Sequence, residues 1–410
     1  MRKIEPLLSP SKFVGIDGVT HLCSGGESPW LKCQEEVYEL FARNKSLSYQ
    51  GRDTLLDHVE SCRKKMGRLW SVGSERVSFM ASAAEGMNWL ARGLDWRKGD
   101  NIVTTNLEFP SVAYAWKNLA ELGVEIRSVP HRNWQVSETE LLEVADQRTR
   151  ILAVSQVSFY SGQNLDIEAL AAGLKGSETL LAVDATHASG AITVPAHVTD
   201  LCVSSCYKWL LATHGTAPCY LSERAESVAQ TTTFGWRNLD AHGNGSAERK
   251  LSVAEHPMPE KLEAGNPAMA TIMFLERSLD LLLEVGIERI ESHVRDLSEI
   301  ISTGLEQLGI QVISPRVRSG RSGNTCFLDT HAEATRKSLE AYGVLIWGEL
   351  GRVRISGHLY NSSDDVERLL DSLNTVLRAD GTGVTDCRKP YKHRKNMVGA
   401  TGIEPATPAV

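Results

Sequence analysis

Past residue 75 the chain repeats one rhythm. A short run of apolar, β-favouring residues is followed by a longer stretch with apolar positions at helical spacing. RVSFM (76–80) predicts a strand and EGMNWLARGL (85–94) a helix. NIVTT (101–105) predicts a strand, and PSVAYAWKNLAELG (110–123) a helix opened by Pro110. VEIRSVP (124–130) reads as a strand and SETELLEVAD (137–146) as a helix with a Ser-x-x-Glu start. ILAVSQVS (151–158), LLAVDATH (180–187), DLCVSS (200–205) and TAPCYLS (216–222) predict further strands, with a helix DIEALAAGL (166–174) after the first. Continuous, largely apolar strands alternating with helices predict an α/β architecture, a mostly parallel sheet covered on both faces.

Beyond residue 240 the rhythm changes. DAHGNGSAERK (240–250) is polar and glycine-rich, as a loop or boundary is. PAMATIMFLERSLDLLLEVG (267–286) and IERIESHVRDLSEIISTGLEQLG (287–309) predict long helices. Strands near 310–314, 323–328 and 352–356 and helices at 332–342 and 363–377 follow. The division expected is an N-terminal arm (1–29), a large domain (30–260), a smaller C-terminal α+β domain (261–378) and a tail (379–410). The tail lacks apolar periodicity and is expected to be disordered, its RKPYKHRK run solvated.

Composition narrows the classes. The 410 residues are 42% hydrophobic and 23% charged, an ordinary globular balance long enough for two domains. A net charge of −7 gives no bulk reason to expect nucleic-acid binding. No apolar run reaches the ~18 residues of a membrane span. The opening MRKIEPLLSPSKFVG lacks a signal-peptide apolar stretch, so a cytoplasmic location is expected. The eight cysteines are scattered without CxxC pairs or matching histidines, which argues for reduced thiols and against a metal site.

In open parallel sheets ligands sit beyond the carboxyl ends of strands. Those ends supply Ser82-Ala83-Ala84-Glu85-Gly86, Glu108-Phe109, Ser158-Phe159, Asp184, His187 and Ser205-Tyr207-Lys208. Lys208 stands in SSCYKWLL, an apolar setting that a lysine avoids without a reason. A small-residue turn at a helix start offers free N–H groups to a phosphate. An aromatic face stacks on a flat ring, a carboxylate pairs with a pyridinium nitrogen, and a lysine amine captures an aldehyde. Together these parts describe a site for pyridoxal 5'-phosphate. A plain structural alternative stands beside each: Asp184 as a helix cap, His187 as a core histidine, Phe109, Ser205 and Tyr207 as packing, Arg354 as a surface ion pair.

D184-A-T-H187-A-S-G190, followed by S205-C-Y-K208-W-L, resembles the signature of class V aminotransferases. The resemblance runs from about HLCSGGESP (21–29) to DDVERLLDSL (364–373), and takes in LEAGNPA (262–268) and RVRISGHLYNSSDDVERL (352–369). It implies a fold type I pyridoxal-phosphate enzyme with a seven-stranded sheet, an amino-acid substrate and a homodimer. It implies Lys208 as the Schiff-base lysine, Asp184 at the ring nitrogen, His187 near the ring oxygen and Phe109 stacked on the ring. Ser82, Ala83, Ala84, Ser158, Ser205 and Tyr207 would complete the cofactor site. Arg354 would grip the substrate carboxylate, with Trp236 and Arg237 as candidate substrate contacts or loop packing. The chain departs from the family in Ala83-Ala84, where Thr-Thr is usual, in Phe159, where desulfurases carry Asn, and in Asn266. The segment 343–354 lacks the cysteine that desulfurases use, and Cys326 reads as an interior strand residue, which argues against a persulfide-forming desulfurase. Amino-group transfer is the reading favoured, with a lyase or epimerase, or a non-catalytic cofactor-binding protein, as alternatives.

Overall fold

The computed structural model describes residues 3–240 and 253–379. Most of the glycine-rich stretch at 240–250, and the tail save its first residue, lie outside the described residues. Strand β1 (Thr20–His21) belongs to the arm. The main sheet contains β2 (Val77–Met80), β3 (Asn101–Thr105), β4 (Glu125–Val129), β5 (Thr149–Ser155), β6 (Leu180–Asp184), β7 (Leu201–Val203) and β8 (Ala217–Leu221). Its order is β2-β8-β7-β6-β5-β3-β4, with β8 antiparallel to both neighbours and every other pairing parallel.

Side-chain alternation puts this sheet between two cores. Leu180 and Ala182 face a cluster with Met87, Leu90 and Trp116. Leu181 and Val183 face another with Leu141 and Leu170. Strand β4 is one edge of the sheet, and there the sequence EIRSV places the exposed Glu125 and the half-buried Arg127, charges that blunt edge pairing.

The C-terminal unit builds β9 (Asn324–Leu328), β10 (Val344–Leu345), β11 (Trp347–Glu349) and β12 (Arg352–Ser356). The order β11-β12-β9 is antiparallel throughout, and β10 pairs in parallel with β1 of the arm. Ile4 and Leu22 of the arm share a core with Leu297, Phe327, Val353 and Leu369. The helix Met269–Val285 packs against Ser48–Trp70 at the other end of the chain, through Ile272, Leu275 and Leu279 with Val59, Cys62 and Met66.

Three elements differ from the pattern. The helix expected over 110–123 is a turn, Pro110–Ala113, and a 3-10 stretch, Lys117–Leu122; the break falls beside Trp116, which is drawn wholly into the core. The strand expected near 310–314 is only an isolated bridge, Val312 to Phe327. The longest helix, Ser48–Trp70, goes unmarked by the strand–helix rhythm, although Leu55, Val59, Cys62, Met66 and Leu69 repeat at helical spacing.

One glycine joins the sheet to the site. Gly190 has φ +95°, and a Cβ there would lie 2.2 Å from the carbonyl oxygen of Trp209. Only a residue without a side chain lets the segment after β6 pass so close to Trp209 and its neighbour Lys208. Gly190→Ala is expected to cost roughly 2 kcal/mol or more. Chemical denaturation measures it, and an unchanged midpoint would show that the approach tolerates a methyl group.

Candidate active site

The carboxyl ends of β2, β3, β5, β6 and β7 open into one cleft of about 160 Å³. Ser82, Ala83, Ala84, Phe109, Asp184, His187, Ser205, Tyr207 and Lys208 line it. A larger hollow of about 410 Å³ lies elsewhere, around Asn88, Trp96 and Asn118, and brings together none of these groups.

Each wall has a local cause. After β2, Ser82 caps the helix Ala83–Gly93: its hydroxyl accepts from Glu85 N at 3.2 Å, and the Glu85 carboxylate accepts from Ala81 N at 2.7 Å. The first N–H groups of that helix, at Ala83 and Ala84, have no acceptor within it. After β6, Asp184 accepts from Thr186 N at 2.8 Å, and the Thr186 hydroxyl accepts from Ser205 N at 3.0 Å, which ties two strand ends together. After β7, Tyr207 stacks on His214 with ring centroids 4.0 Å apart, and Trp209 is fully buried beneath His358, which bonds its carbonyl at 2.9 Å. Lys208 is thereby fixed between two anchored aromatics and points into the cleft.

Lys208 is 7% exposed, and its Nζ lies 5.4 Å from the ring centres of both Phe109 and Tyr207. Burial, then the charge of Arg354, pushes its ammonium down to about 8, against the smaller pull of Asp184. Its Nζ sits 3.2 Å from His187 Nε2. His187 Nδ1 lies 3.2 Å from Asn324 Nδ2, and Asn324 Oδ1 accepts from the Ser356 hydroxyl at 2.8 Å. This network assigns the proton: Asn324 donates to Nδ1, so the neutral imidazole carries its hydrogen on Nε2 and donates to the Lys208 amine once that amine has lost its proton, above about pH 8. Burial, with Lys208, Arg354 and Arg352 nearby, holds His187 well below its ordinary value and keeps the ring neutral.

Asp184 is buried, and burial raises its carboxyl while the Thr186 hydrogen bonds oppose the rise. It has no ion-pair partner among the described residues. Glu108, beneath the cleft, accepts from Ser155 N at 2.8 Å and from Ser155 Oγ at 2.5 Å; burial pushes it up to about 7.

Four anticipated residues stand outside the cleft wall. Ser158 directs its hydroxyl into the following turn, where it accepts from Tyr160 N at 3.2 Å and Ser161 N at 3.3 Å. Arg354 is buried, not a surface ion pair, and its Nη1 donates to the Phe159 carbonyl at 3.1 Å, one layer behind the cleft. Arg237 is taken up by the buried Glu263 at 3.1 Å, which also binds Arg63 at 3.0 Å. Trp236 lies under the Arg52 guanidinium at 5.6 Å. Within this chain, then, Trp236 and Arg237 do not reach the cleft.

Phe159, noted in the sequence as a departure from the family, also lines the wall, and four further wall residues were not singled out by the sequence: Ser111, Ser155, Val157 and Thr186. Thr186 sits inside the D-A-T-H motif and was legible there. Asn324, from the small sheet, had no local signal.

The donor set fits pyridoxal 5'-phosphate. Two unclaimed helix N–H groups, flanked by the Ser205 and Tyr207 hydroxyls, suit a phosphate. A buried carboxylate with no cation suits a protonated ring nitrogen, and an amine held near neutrality suits an aldehyde. Ala83 and Ala84 carry no hydroxyl, so only their backbone N–H groups could donate on that side of the cleft.

A mostly parallel sheet with these groups at its strand ends defines the fold type I class of pyridoxal-phosphate-dependent enzymes. The chain belongs to the aminotransferase class-V family, whose model matches residues 31–369. It is 25% identical over 315 residues to an uncharacterized aminotransferase of Schizosaccharomyces pombe, covering 73% of this chain and 77% of the relative. It is 25% identical over 340 residues to a probable cysteine desulfurase of Methanothermobacter thermautotrophicus, covering 78% and 83%. The apo structure of a cysteine desulfurase from Thermococcus onnurineus superposes with a TM-score of 0.82 at 20% identity, over 92% of this chain and 100% of that one.

The depressed lysine has a stability signature. An unfolded lysine holds its proton to 10.5, whereas Lys208 in the fold releases it near 8. Between those values the unfolded state binds more protons, so this residue's unfavourable contribution fades as pH rises. Cofactor-free Lys208→Met is therefore expected to be more stable than the parent at pH 7, with the gap closing from about pH 8 upward. Thermal melts across pH test this; a gap that does not change with pH would show that the buried amine is not depressed.

Proposed function

We propose that this chain acts at the α-carbon of an amino acid with pyridoxal 5'-phosphate as cofactor, and that its reaction is amino-group transfer. The observation that carries the reading is the buried Lys208 amine, hydrogen-bonded to a neutral His187 and facing Asp184 across the cleft. When bound, the cofactor supplies an electron sink for charge developing at the substrate α-carbon.

The chain's own residues do the rest. Lys208, with a pKa close to neutrality, takes a proton from the α-carbon and returns it. The His187 Nε2 hydrogen steadies the amine in its neutral, proton-accepting form. Asp184 keeps a positive ring nitrogen in place by charge, and Phe109 covers the ring face. The Ala83 and Ala84 N–H groups with Ser205 and Tyr207 hold the phosphate. Arg354 binds the α-carboxylate through its guanidinium fork.

Relatives carry both aminotransferase and desulfurase names. A persulfide route needs a reactive thiol at the substrate. Cys326 is fully buried in β9, and burial raises its thiol. Cys23, on the arm near Arg354, is the nearer candidate, yet burial raises its thiol too, outweighing the pull of Arg354. We therefore set the desulfurase reading aside. A homodimer and a reducing, cytoplasmic setting complete the proposal; all seven described cysteines are free thiols.

The test is product analysis. Holoenzyme screened against amino acids should yield a keto acid with pyridoxamine phosphate, and borohydride should fix the cofactor on a peptide containing Lys208. With cysteine, no persulfide should appear on Cys23 or Cys326. Ammonia with a keto acid and unchanged cofactor would mean elimination; an inverted α-carbon alone would mean epimerisation. Either outcome replaces amino transfer.

Asp184→Asn keeps the shape and removes the charge. Turnover is expected to fall at least ~100-fold, the scale of losing a preorganised electrostatic partner. Steady-state kinetics of the saturated enzyme checks it, and near-parental turnover would show that Asp184 does not face the ring nitrogen.

A further inference from the structure

Arg352 is fully buried, yet among the described residues none of its three guanidinium nitrogens has a hydrogen-bond acceptor. Its guanidinium lies 3.8 Å from the ring centre of Tyr160, 4.8 Å from Trp347 and 5.0 Å from Phe159. Two residues along β12, Arg354 is 3% exposed, and its Nε is likewise without an acceptor. Neither arginine takes part in an ion pair among the described residues. The acids nearest in the small sheet are committed elsewhere. Glu349, opposite Arg352 in register, is exposed, and Asp329 accepts from His331 N at 2.8 Å and from the Thr335 hydroxyl at 2.5 Å.

Alternate residues of a strand share a face, about 7 Å apart. Arg352, Arg354 and Ser356 therefore face the same way, and Ser356 reaches the cleft through Asn324 and His187. Both arginines add positive charge at His187. Phe159 separates them from the cofactor cleft: its ring lines that cleft and also covers Arg352, while its carbonyl holds Arg354. Two buried guanidinium ions without counter-charge are unfavourable unless an anion completes them.

We propose that the substrate carries a second acidic group on its side chain, and that Arg352 receives it while Arg354 receives the α-carboxylate. The inference rests on the reading of the cleft as an amino-acid site. It names the substrate class as amino diacids of four or five carbons, or equivalents with another oxyacid at the side-chain end. The Phe159 ring turns aside as the second anion enters. The aromatic cage holds the planar guanidinium in place before the ligand arrives.

The test uses acids without an amino group, so that it is independent of amino transfer. Holoenzyme is titrated with succinate and glutarate, and with butyrate and pentanoate, by calorimetry and thermal shift. The diacids are expected to bind roughly 10- to 100-fold more tightly, the scale of one charge-assisted contact. Arg352→Met keeps the aliphatic stem among the rings; it should melt no lower than the parent without ligand, lose the diacid preference and keep butyrate binding. Equal binding of mono- and diacids by the parent enzyme would overturn the proposal. So would a marked drop in the ligand-free melting point of Arg352→Met, because the guanidinium would then be held by the protein or by a partner subunit. A diacid preference without keto-acid formation would refute amino transfer and leave this inference standing. Keto-acid formation without the preference would refute the inference alone.

Discussion

The site depends on one chain of hydrogen bonds, Ser356–Asn324–His187–Lys208. It starts on the small sheet and ends on the amine that protrudes from the large one. A buried ammonium is costly: burial and the charge of Arg354 bring Lys208 down to about 8, and His187 offers the amine a donor once it is neutral. The arm fits around the chain. A Cβ at Gly25 would lie 2.6 Å from the Ser356 hydroxyl and 2.7 Å from Asn324 Oδ1, so the glycine lets the arm close against it. The proton state of Lys208 is thus set jointly by both units and the arm.

Charge follows the same logic. Lys208, Arg354 and Arg352 gather around His187, while Asp184 is buried with no ion-pair partner among the described residues. Elsewhere the protein neutralises buried charge directly, as in the Arg63–Glu263–Arg237 triad. The contrast separates structural from ligand-directed charge. A triad satisfied within the chain holds loops together; groups left unsatisfied at strand ends are what the proposed ligand site would use. This is why Arg237, matched by Glu263, reads as structural and Arg354, with Nε unclaimed, reads as a binding group.

Much of the large sheet was legible because its strands obey a strong rule. A strand buried on both faces is predominantly apolar, and five of these segments are buried at every position. The helix expected over 110–123 failed where the burial of Trp116 overrode local helical preference. The segment 310–314 is apolar enough for a strand, but Val312 meets β9 through a single bridge, and pairing depends on register as well as composition. Ser158 was placed at the site because it ends an apolar run; its hydroxyl caps the next turn instead, a local competition that serine often enters.

By itself the sequence determined the family, the α/β sheet, and the order of chemical groups along it: Ser82 with Ala83 and Ala84, Phe109, Asp184, His187, Lys208. These groups sit at strand ends, and strand ends are found from local patterning. Tertiary structure alone decided which of them meet and in what state. Asn324 and His187 are 137 positions apart, and their contact follows from how the small sheet docks. The same docking buries Arg352 among three rings, behind Phe159, and leaves its guanidinium without an acceptor. Burial and the identity of distant neighbours fix a proton's affinity, and neither is written in the spacing of residues along one chain.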